Sequence, residues 1–146
     1  MSIQREKGTR FETDVVNYLR AQLGDDRIER RALHGSKDMG DIYPVYAHGY
    51  VGIIECKAHK SVTWSLVGKW QQQTLDEREN ADADWAALVV KRPNHGVWES
   101  TAYVTLRDLA RIALPFMVND GWLEAADETW VCMPLSTACA LIRGDR

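Results

Sequence analysis

The sequence lacks any apolar run near the roughly 18 residues that a membrane-spanning helix requires, and its first ten residues are polar. A transmembrane class and a secretory signal are therefore not indicated, and we expect a cytosolic protein without a membrane partner. Cysteine is scarce, and Cys56, Cys132 and Cys139 form no CxxC pair. This argues against a disulfide framework or a zinc knuckle, so buried reduced thiols are expected.

An excess of positive charge is also missing, because the net charge is −3. A protein that coats nucleic acid by charge alone is thereby disfavoured. Residues 1–60 nevertheless hold 10 Lys and Arg against 9 Asp and Glu, whereas residues 61–146 hold 8 against 12. An anionic partner should therefore approach the N-terminal part, with a bound cation making that surface attractive to phosphate.

What is present is the composition of an ordinary packed protein, 45% hydrophobic and 27% charged. A length of 146 residues suits one hydrophobic core, and no repeat or linker-like segment interrupts it. We predict a single domain over residues 1–146. Its core should span about residues 7–114, followed by a C-terminal extension over residues 115–146.

Hydrophobic periodicity predicts an α/β fold in which helices flank a mixed central sheet. Phe11, Val15 and Leu19 recur at helical spacing before Gly24, and the unbroken run at 85–90 is typical of a strand buried on both faces. The predicted elements are a helix over 7–23, strands over 27–33, 41–46 and 50–57, a helix over 64–81, strands over 85–90 and 97–104, a helix from Thr105 to about 114, an extended stretch over 129–133 and a final helix over 136–142, with a loop over 34–40.

Two charged residues end the apolar strand 50–57. Glu55 and Lys57 are two positions apart, so their side chains leave the same face of the sheet. Asp41 joins them if the preceding hairpin has a three-residue loop ending at Gly49, because Tyr46 then pairs with Tyr50 and Asp41 falls opposite Glu55. A two-residue loop would turn Asp41 to the other face, and glycine at the third loop position favours the longer loop.

Two opposed carboxylates destabilise a sheet unless a positive charge lies between them. A divalent cation with oxygen ligands, Mg²⁺ above all, fits Asp41 and Glu55, and Mn²⁺ should be able to replace it. Lys57 could then hold or help to deprotonate a water, and Glu12, an acid on the apolar stripe of the first helix, could bind a second metal or its water. The alternative is a surface ion pair, which a Glu-x-Lys pattern usually marks.

Further short motifs accompany these residues along the first part of the chain. In order they are Lys7-Gly8, Glu12, Arg31-Ala32, Gly35-Ser36-Lys37, Gly40-Asp41-Ile42 and Ile54-Glu55-Cys56-Lys57. On these motifs the sequence resembles the PD-(D/E)XK nuclease superfamily and, within it, the archaeal-type Holliday junction resolvases. Gly40 stands where the motif's name has proline, and the second half of the chain carries no resolvase motif.

The resemblance implies a restriction-endonuclease-like core and a metal-dependent endonuclease for branched DNA, working as a homodimer on four-way junctions. It implies metal ligation by Asp41, Glu55 and the backbone carbonyl of Cys56, with Lys57 positioning the attacking water. Glu12 would be an auxiliary acid, and Ser36 would lie on a mobile loop near the cleaved strand. No small-molecule cofactor is implied.

Several further side chains are candidates for the DNA-binding surface, with an ordinary solvated surface as the alternative. One of Gln71, Gln72 and Gln73 could face the metal strand, with Gln72 as the accessory candidate; plain helix surface is the alternative. Among the histidines, only His34 belongs to the predicted loop over 34–40 that precedes Asp41. Trp70 and Trp85 lie on apolar patterns and are expected in the core. The candidate phosphate contacts are Lys7, Arg10, Arg30, Arg31, Lys37 and Lys60, with Arg31 favoured by the resemblance.

Three functions remain open from the sequence. The first is the junction resolvase, and the second is another PD-(D/E)XK nuclease that cuts duplex, nicked or end-containing DNA. The third is a nucleic-acid-binding module without catalysis, which would have no reason to keep Asp41, Glu55 and Lys57 together.

Overall fold

A computed structural model describes residues 2–32, 35–114 and 126–144. Its centre is a six-stranded mixed sheet in which the strands follow one another in chain order. Strands β3 and β4 are parallel, and every other neighbouring pair is antiparallel. The strands are β1 (Glu29–Arg30), β2 (Ile42–Ala47), β3 (Tyr50–Lys57), β4 (Trp85–Val90), β5 (Thr101–Thr105) and β6 (Trp130–Pro134).

Four α-helices lie in the described part of the chain, so the predicted α/β class is confirmed. They are α1 (Ile3–Leu23), α2 (Trp64–Asn80), α3 (Leu106–Ala113) and α4 (Leu135–Arg143), and Val97–Glu99 forms one turn of 3₁₀ helix. None of these helices combines the length and apolar character that crossing a bilayer requires.

The helices begin and end where local chemistry satisfies their backbone groups. Ser2 accepts a hydrogen bond from the Arg5 N–H, so α1 begins four residues earlier than the predicted position 7. Gly24 ends it with a left-handed φ of 63°, as predicted. Thr105 caps α3 through the Asp108 N–H, at the residue from which this helix was predicted to start.

The hydrophobic core lies on both faces of the sheet. Helices α1 and α4 cover one face through a cluster that includes Phe11, Leu19 and Cys139. Helix α2 covers the other through Val67 and Trp70, which pack on Leu88 and Val90 of β4. Because helices cover both faces, all six residues of β4 are buried, as the unbroken apolar run predicted. The core positions predicted for Trp70 and Trp85 are confirmed.

Two predicted strands were wrong in extent. Strand β1 is only Glu29–Arg30 rather than 27–33, and position 33 lies outside the described residues. The predicted strand over 97–104 begins as the 3₁₀ turn, because the Glu99 N–H bonds back to the Gly96 carbonyl, and extended pairing starts only at Thr101. The last strand and helix lie within a residue of their predicted ends.

The predicted three-residue hairpin loop was also wrong. Ala47 pairs with Tyr50, leaving a two-residue turn in which His48 and Gly49 have φ of 51° and 86°. Positive φ at both positions is the geometry of a type I′ turn, whose twist matches the strands. His48 adopts this conformation although it is not glycine, which is why the pattern of the loop misled the prediction.

An irregularity inside β2 compensates for the shorter turn. Val45 pairs with Gly52, but Ile42 pairs with Ile54, so one strand gains a residue between them. The extra residue lies around Pro44, which has no N–H to give to a ladder. The shift returns the start of β2 to the register that the longer loop would have produced. Asp41 therefore comes beside Glu55 despite the wrong turn.

An ion-pair network ties α2 to α3 and to the start of the C-terminal segment. The Arg78 guanidinium donates to Asp108 at 2.9 Å and makes two bonds to Asp127, at 2.8 and 2.6 Å. Asp108 also accepts from the Ala86 N–H of β4, and Thr105 donates to Asp127. The network is largely removed from solvent, since the side chains of Arg78 and Asp108 are 11% and 1% exposed.

Candidate active site

Asp41 is held by the backbone on three sides. Its N–H donates to the Ile54 carbonyl at 3.0 Å, and its carbonyl accepts from the Arg31 N–H at 2.7 Å. Its carboxylate Oδ2 accepts from the Cys56 N–H at 2.8 Å. These bonds fix a carboxyl side chain at the end of an apolar sheet, directly beside β3.

Glu55 and Lys57 share one face of β3, as predicted. The Lys57 ammonium lies 3.1 Å from Glu55 Oε1, and the two side chains are 19% and 3% exposed. The pair is therefore not the solvated surface bridge that was the alternative. The Glu55 carboxylate is buried, whereas its ion-pair partner Lys57 is partly exposed. Such a pair does not fully offset the cost of removing the carboxylate from water, so a further positive or hydrogen-bonding partner is needed.

Two acids that were not among the predicted site residues complete the cluster. Oxygens of Asp38, Glu55 and Glu77 lie within 4.8 Å of one another. Asp38 lies in the loop before β2, where the Asn80 side chain donates to its carbonyl, and Glu77 lies on α2. The sequence did contain a signal for Glu77, because it lies on the buried stripe with Val67 and Trp70, where an acid is out of place.

Gln73, rather than the predicted Gln72, faces the acids of the cluster. The Gln73 amide donates to Glu77 at 2.7 Å and to Glu55 at 3.4 Å, so it joins helix α2 to strand β3. Gln72 instead donates to Asp76 on the exposed side of the helix. A difference of one position rotates a side chain by about 100° around the helix, and only the packing of α2 decides which glutamine faces inward.

The surroundings of these acids favour their neutral forms in the absence of a cation. Burial, with the nearby charge of Glu55, raises the pKa of Asp41 to about 8. Burial and the proximity of Glu77 raise the pKa of Glu55 to about 9, against the opposing effect of Lys57. Burial likewise raises the pKa of Glu77 to about 7, with Asp38 adding to the shift. The cluster therefore has more negative charge than its protein partners can stabilise.

A hard divalent cation fits this donor set. All the side-chain donors are oxygens, which Mg²⁺ and Mn²⁺ prefer. Within the described residues, Glu55 Oε2 and Glu77 Oε2 are buried without a hydrogen-bond partner. Leaving such oxygens unpaired is costly, and a cation would satisfy both.

Glu12 lies near this cluster but has a partner of its own. Its Oε2 accepts from Arg30 at 2.9 Å, and its charge adds to the raised pKa of Asp41. Arg30, a candidate for phosphate binding, is thus paired with an acid. Arg31 is likewise engaged, donating to the Met39 carbonyl and lying 3.9 Å over the Tyr43 ring.

The remaining predicted nucleic-acid contacts lie on exposed parts of the described chain. Lys7 and Arg10 are exposed on α1, Ser36 and Lys37 on the loop before β2, and Lys60 after β3. Lys37 lines a small cavity of about 160 Å³ with Arg31, Asp38 and Asp41. The prediction for His34 lies outside the described residues. Of the thiols, Cys56 and Cys139 are buried and Cys132 is exposed, so the expectation of burial was wrong for Cys132.

The mixed sheet, with acids from adjoining strands and a lysine two residues beyond one of them, defines the class of PD-(D/E)XK nucleases. A family model described as "Phage putative PDDEXK endonuclease" matches residues 3–118, and the chain belongs to this family. No curated protein and no solved structure matches the chain. The superfamily predicted from the sequence is confirmed, and with it a nuclease that acts on DNA. The family description does not extend to the archaeal-type resolvases.

Proposed function

We propose that the protein is a divalent-metal-dependent endonuclease that hydrolyses DNA phosphodiesters at the cluster around Glu55. The observation that carries the proposal is the set of three carboxylates within 4.8 Å, two of which have buried oxygens without partners among the described residues. A structural ion pair would not need such a set. The bound cation would offset the negative charge that develops on the scissile phosphate.

Roles follow from position. Asp41 and Glu55, with the backbone carbonyl of Cys56, are the proposed ligands. Asp38 and Glu77 stand close enough to Glu55 to serve the same cation or its waters. Lys57 is placed to orient the attacking water, because its ammonium lies at the partly exposed rim of the cluster, 3.1 Å from Glu55. Glu12 would act as an auxiliary acid once the Arg30 side chain leaves it and binds a phosphate of the DNA.

The phosphate-binding side chains are proposed from their position on the surrounding surface. Lys7, Arg10, Lys37 and Lys60 are exposed, and each could meet a strand that enters the site. Ser36 on the same loop as Lys37 would contact the backbone of the cleaved strand.

The test compares Glu55 of β3 with Glu79 of α2. Glu55→Gln should abolish Mg²⁺-dependent cleavage and weaken Mn²⁺ binding measured by calorimetry. Glu79→Gln, which changes an exposed acid on the outer side of α2, should leave both unchanged. Cleavage by wild type in excess EDTA, or full activity of Glu55→Gln, would contradict the proposal.

A finer proposal concerns the DNA substrate. The motif order resembles junction resolvases, so we propose that branched DNA, above all the four-way junction, is cut by a homodimer with one site for each nicked strand. Cleavage of a four-way junction should then exceed that of a linear duplex of the same sequence, and sedimentation should show a dimer. Equal rates on both substrates would instead favour a PD-(D/E)XK nuclease for duplex, nicked or end-containing DNA.

A further inference from the structure

The carboxyl ends of β3 and β4 form one edge of the sheet beside the acidic cluster. The two strands are parallel, Lys57 lies opposite Val90, and the Lys91 N–H donates to the Lys57 carbonyl. The segments that leave the two strands, residues 58–63 and 91–96, therefore begin side by side. The N-terminus of α1 reaches the same edge, because the Gln4 amide donates to the Ala58 carbonyl at 3.1 Å.

The two segments that leave β3 and β4 are basic although the whole chain is acidic. Between Glu55 and Asp76 the sequence holds no acid, and between Asp84 and Glu99 it again holds none. The described ion pairs include none of the exposed cations of these segments, which are Lys60, Lys91 and Arg92. Lys69, on the helix that follows the first segment, is likewise exposed and outside those pairs. An edge with free cations attracts the backbone of a nucleic acid.

An exposed tryptophan projects from the same edge. Trp64 opens α2 and is 85% exposed, and neither core cluster includes it. Val62 and Ile3 at this edge are also exposed, by 41% and 72%. A single exposed apolar residue means little, but an indole among unpaired cations combines the two features that single-stranded nucleic acid recognises.

We propose that Trp64 stacks on an unpaired or terminal base of the DNA and so selects substrates that offer one. This rests on the proposed nuclease function and adds a specificity-determining residue to it. Trp64 precedes Gln73 by nine residues, so it lies about 14 Å away along the helix axis and on the opposite side of α2, at its exposed N-terminal end. A strand cut at the acidic cluster reaches Trp64 by passing around this end of α2, a path of at least about four steps of a B-form strand, along which Lys60 is placed to hold a phosphate.

The stacking requirement explains why branched, nicked or frayed DNA would be preferred. In a continuous duplex both faces of every internal base are covered by neighbours, so no face is available to an indole. At a branch or an end one base face is open. The cations at this edge disfavour a second copy of the chain as the occupant, because two basic edges would repel each other.

The experiment uses DNA with 2-aminopurine at successive positions from a branch point, in EDTA so that nothing is cut. Wild type should quench one position, and Trp64→Ala should lose the quenching and weaken binding to branched DNA roughly 5- to 100-fold. Trp64→Phe should restore most of the affinity because it keeps a ring. Tyr46→Ala, which removes an exposed ring near the opposite end of the sheet, should change neither.

The outcomes separate this inference from the proposed function. Equal binding by wild type and Trp64→Ala overturns the stacking, while loss of cleavage in Glu55→Gln still supports the nuclease. A change in sedimentation coefficient for Trp64→Ala without DNA assigns the patch to a second copy of the chain and overturns the inference. Weakened binding to continuous duplex by the same factor also overturns it, because the effect is then not selective for an open base.

Discussion

Asp41 Oδ2 accepts a hydrogen bond of 2.8 Å from the backbone N–H of Cys56, the residue that separates Glu55 from Lys57. This one bond joins the two halves of the motif across the hairpin. It sets the position of a proposed metal ligand by a backbone N–H, which every substitution of Cys56 except proline would keep. The position of the Asp41 carboxylate is therefore fixed before any cation binds, which is the preorganisation that a metal site requires.

Asp41→Asn removes the negative charge of this side chain but keeps its shape and its hydrogen bond from Cys56. The asparagine oxygen can still accept from the Cys56 N–H, so the melting temperature should change little. Metal-dependent cleavage should fall about 100-fold or more, because one anionic ligand is gone. Asp26→Asn, on an exposed loop, is the control. Cleavage at the wild-type rate by Asp41→Asn would remove Asp41 from the site.

Gln73 is predicted to act as a positioning residue. Gln73→Ala removes the amide that bonds Glu55 and Glu77, so Mn²⁺ affinity measured by electron paramagnetic resonance should fall about 10- to 100-fold. Gln72→Ala alters the adjacent exposed position and should leave the affinity unchanged. Equal effects of the two substitutions would show that helix stability, rather than contact with the acids, is responsible.

Gly40 is predicted to be required for both folding and cleavage. Its φ is 91°, and a Cβ there would lie 3.0 Å from Ile53 Cδ1. Gly40→Ala should cost about 1 to 2 kcal/mol for the backbone and a further 1 to 3 kcal/mol for the crowding, measured by urea unfolding. Proline, with φ fixed near −65°, could not adopt this backbone conformation.

Gly49→Ala is the matched control for Gly40→Ala. Its φ of 86° carries a similar backbone cost, but open space surrounds the position. It should therefore lose only the backbone part of the stability and keep its cleavage rate, while Gly40→Ala displaces Asp41 and loses activity. Similar activities for the two variants would contradict the proposed link between Gly40 and the site.

The acidic cluster predicts an unusual dependence of stability on pH when no metal is bound. The pKa values of Asp41, Glu55 and Glu77 in the folded chain, about 8, 9 and 7, exceed those of carboxyl groups in an unfolded chain. The folded state thus binds more protons, so the free energy of unfolding in EDTA should fall as the pH rises from about 5 to 9.

Two changes should reduce that slope. Glu55→Gln removes one of the titrating groups, and saturating Mg²⁺ stabilises the charged forms of all of them. Both are measured by urea unfolding at a series of pH values. A slope of the opposite sign in EDTA would show that the acids are ionised without a cation, and the argument for a metal from their surroundings would fail.

Arg78 is predicted to be a structural residue. Arg78→Ala leaves buried Asp108 without its cation, so the variant should lose about 3 to 5 kcal/mol of unfolding free energy. Arg27→Ala breaks the Arg27–Asp25 pair, in which the arginine side chain is 68% exposed, and should leave the unfolding midpoint nearly unchanged. Similar midpoints for both variants would contradict a stabilising role for the network.

Patterns that depend on local periodicity were read correctly from the chain. The span of α2 and the Thr105 cap rest on contacts within a few residues, which a sequence displays directly. The burial of β4 depends on helices that pack on both faces of the sheet, but the unbroken apolar run of the strand already indicates it. The predicted face shared by Glu55 and Lys57 has the same basis, since side chains alternate along a strand. These features needed no knowledge of the tertiary structure.

The hairpin shows how a local rule can fail while its consequence survives. Glycine at position 49 suggested a three-residue loop, but His48 entered the left-handed region and closed a two-residue turn. The irregularity between Ile42 and Val45 then restored the register at Asp41. A bulge is a response of one strand to its partner and to the core, so neither strand alone indicates it.

By itself the sequence determined the motif Gly40-Asp41 and Glu55-Cys56-Lys57, the superfamily and the order of helices and strands. Only the tertiary structure decided that Asp38, Gln73 and Glu77 join Glu55, that Gln72 does not, and that Trp64 shares an edge with free cations. The physical reason is distance along the chain. Neighbours on a strand are set by covalent geometry, whereas the approach of α2 to β3 is set by how two separate apolar faces pack.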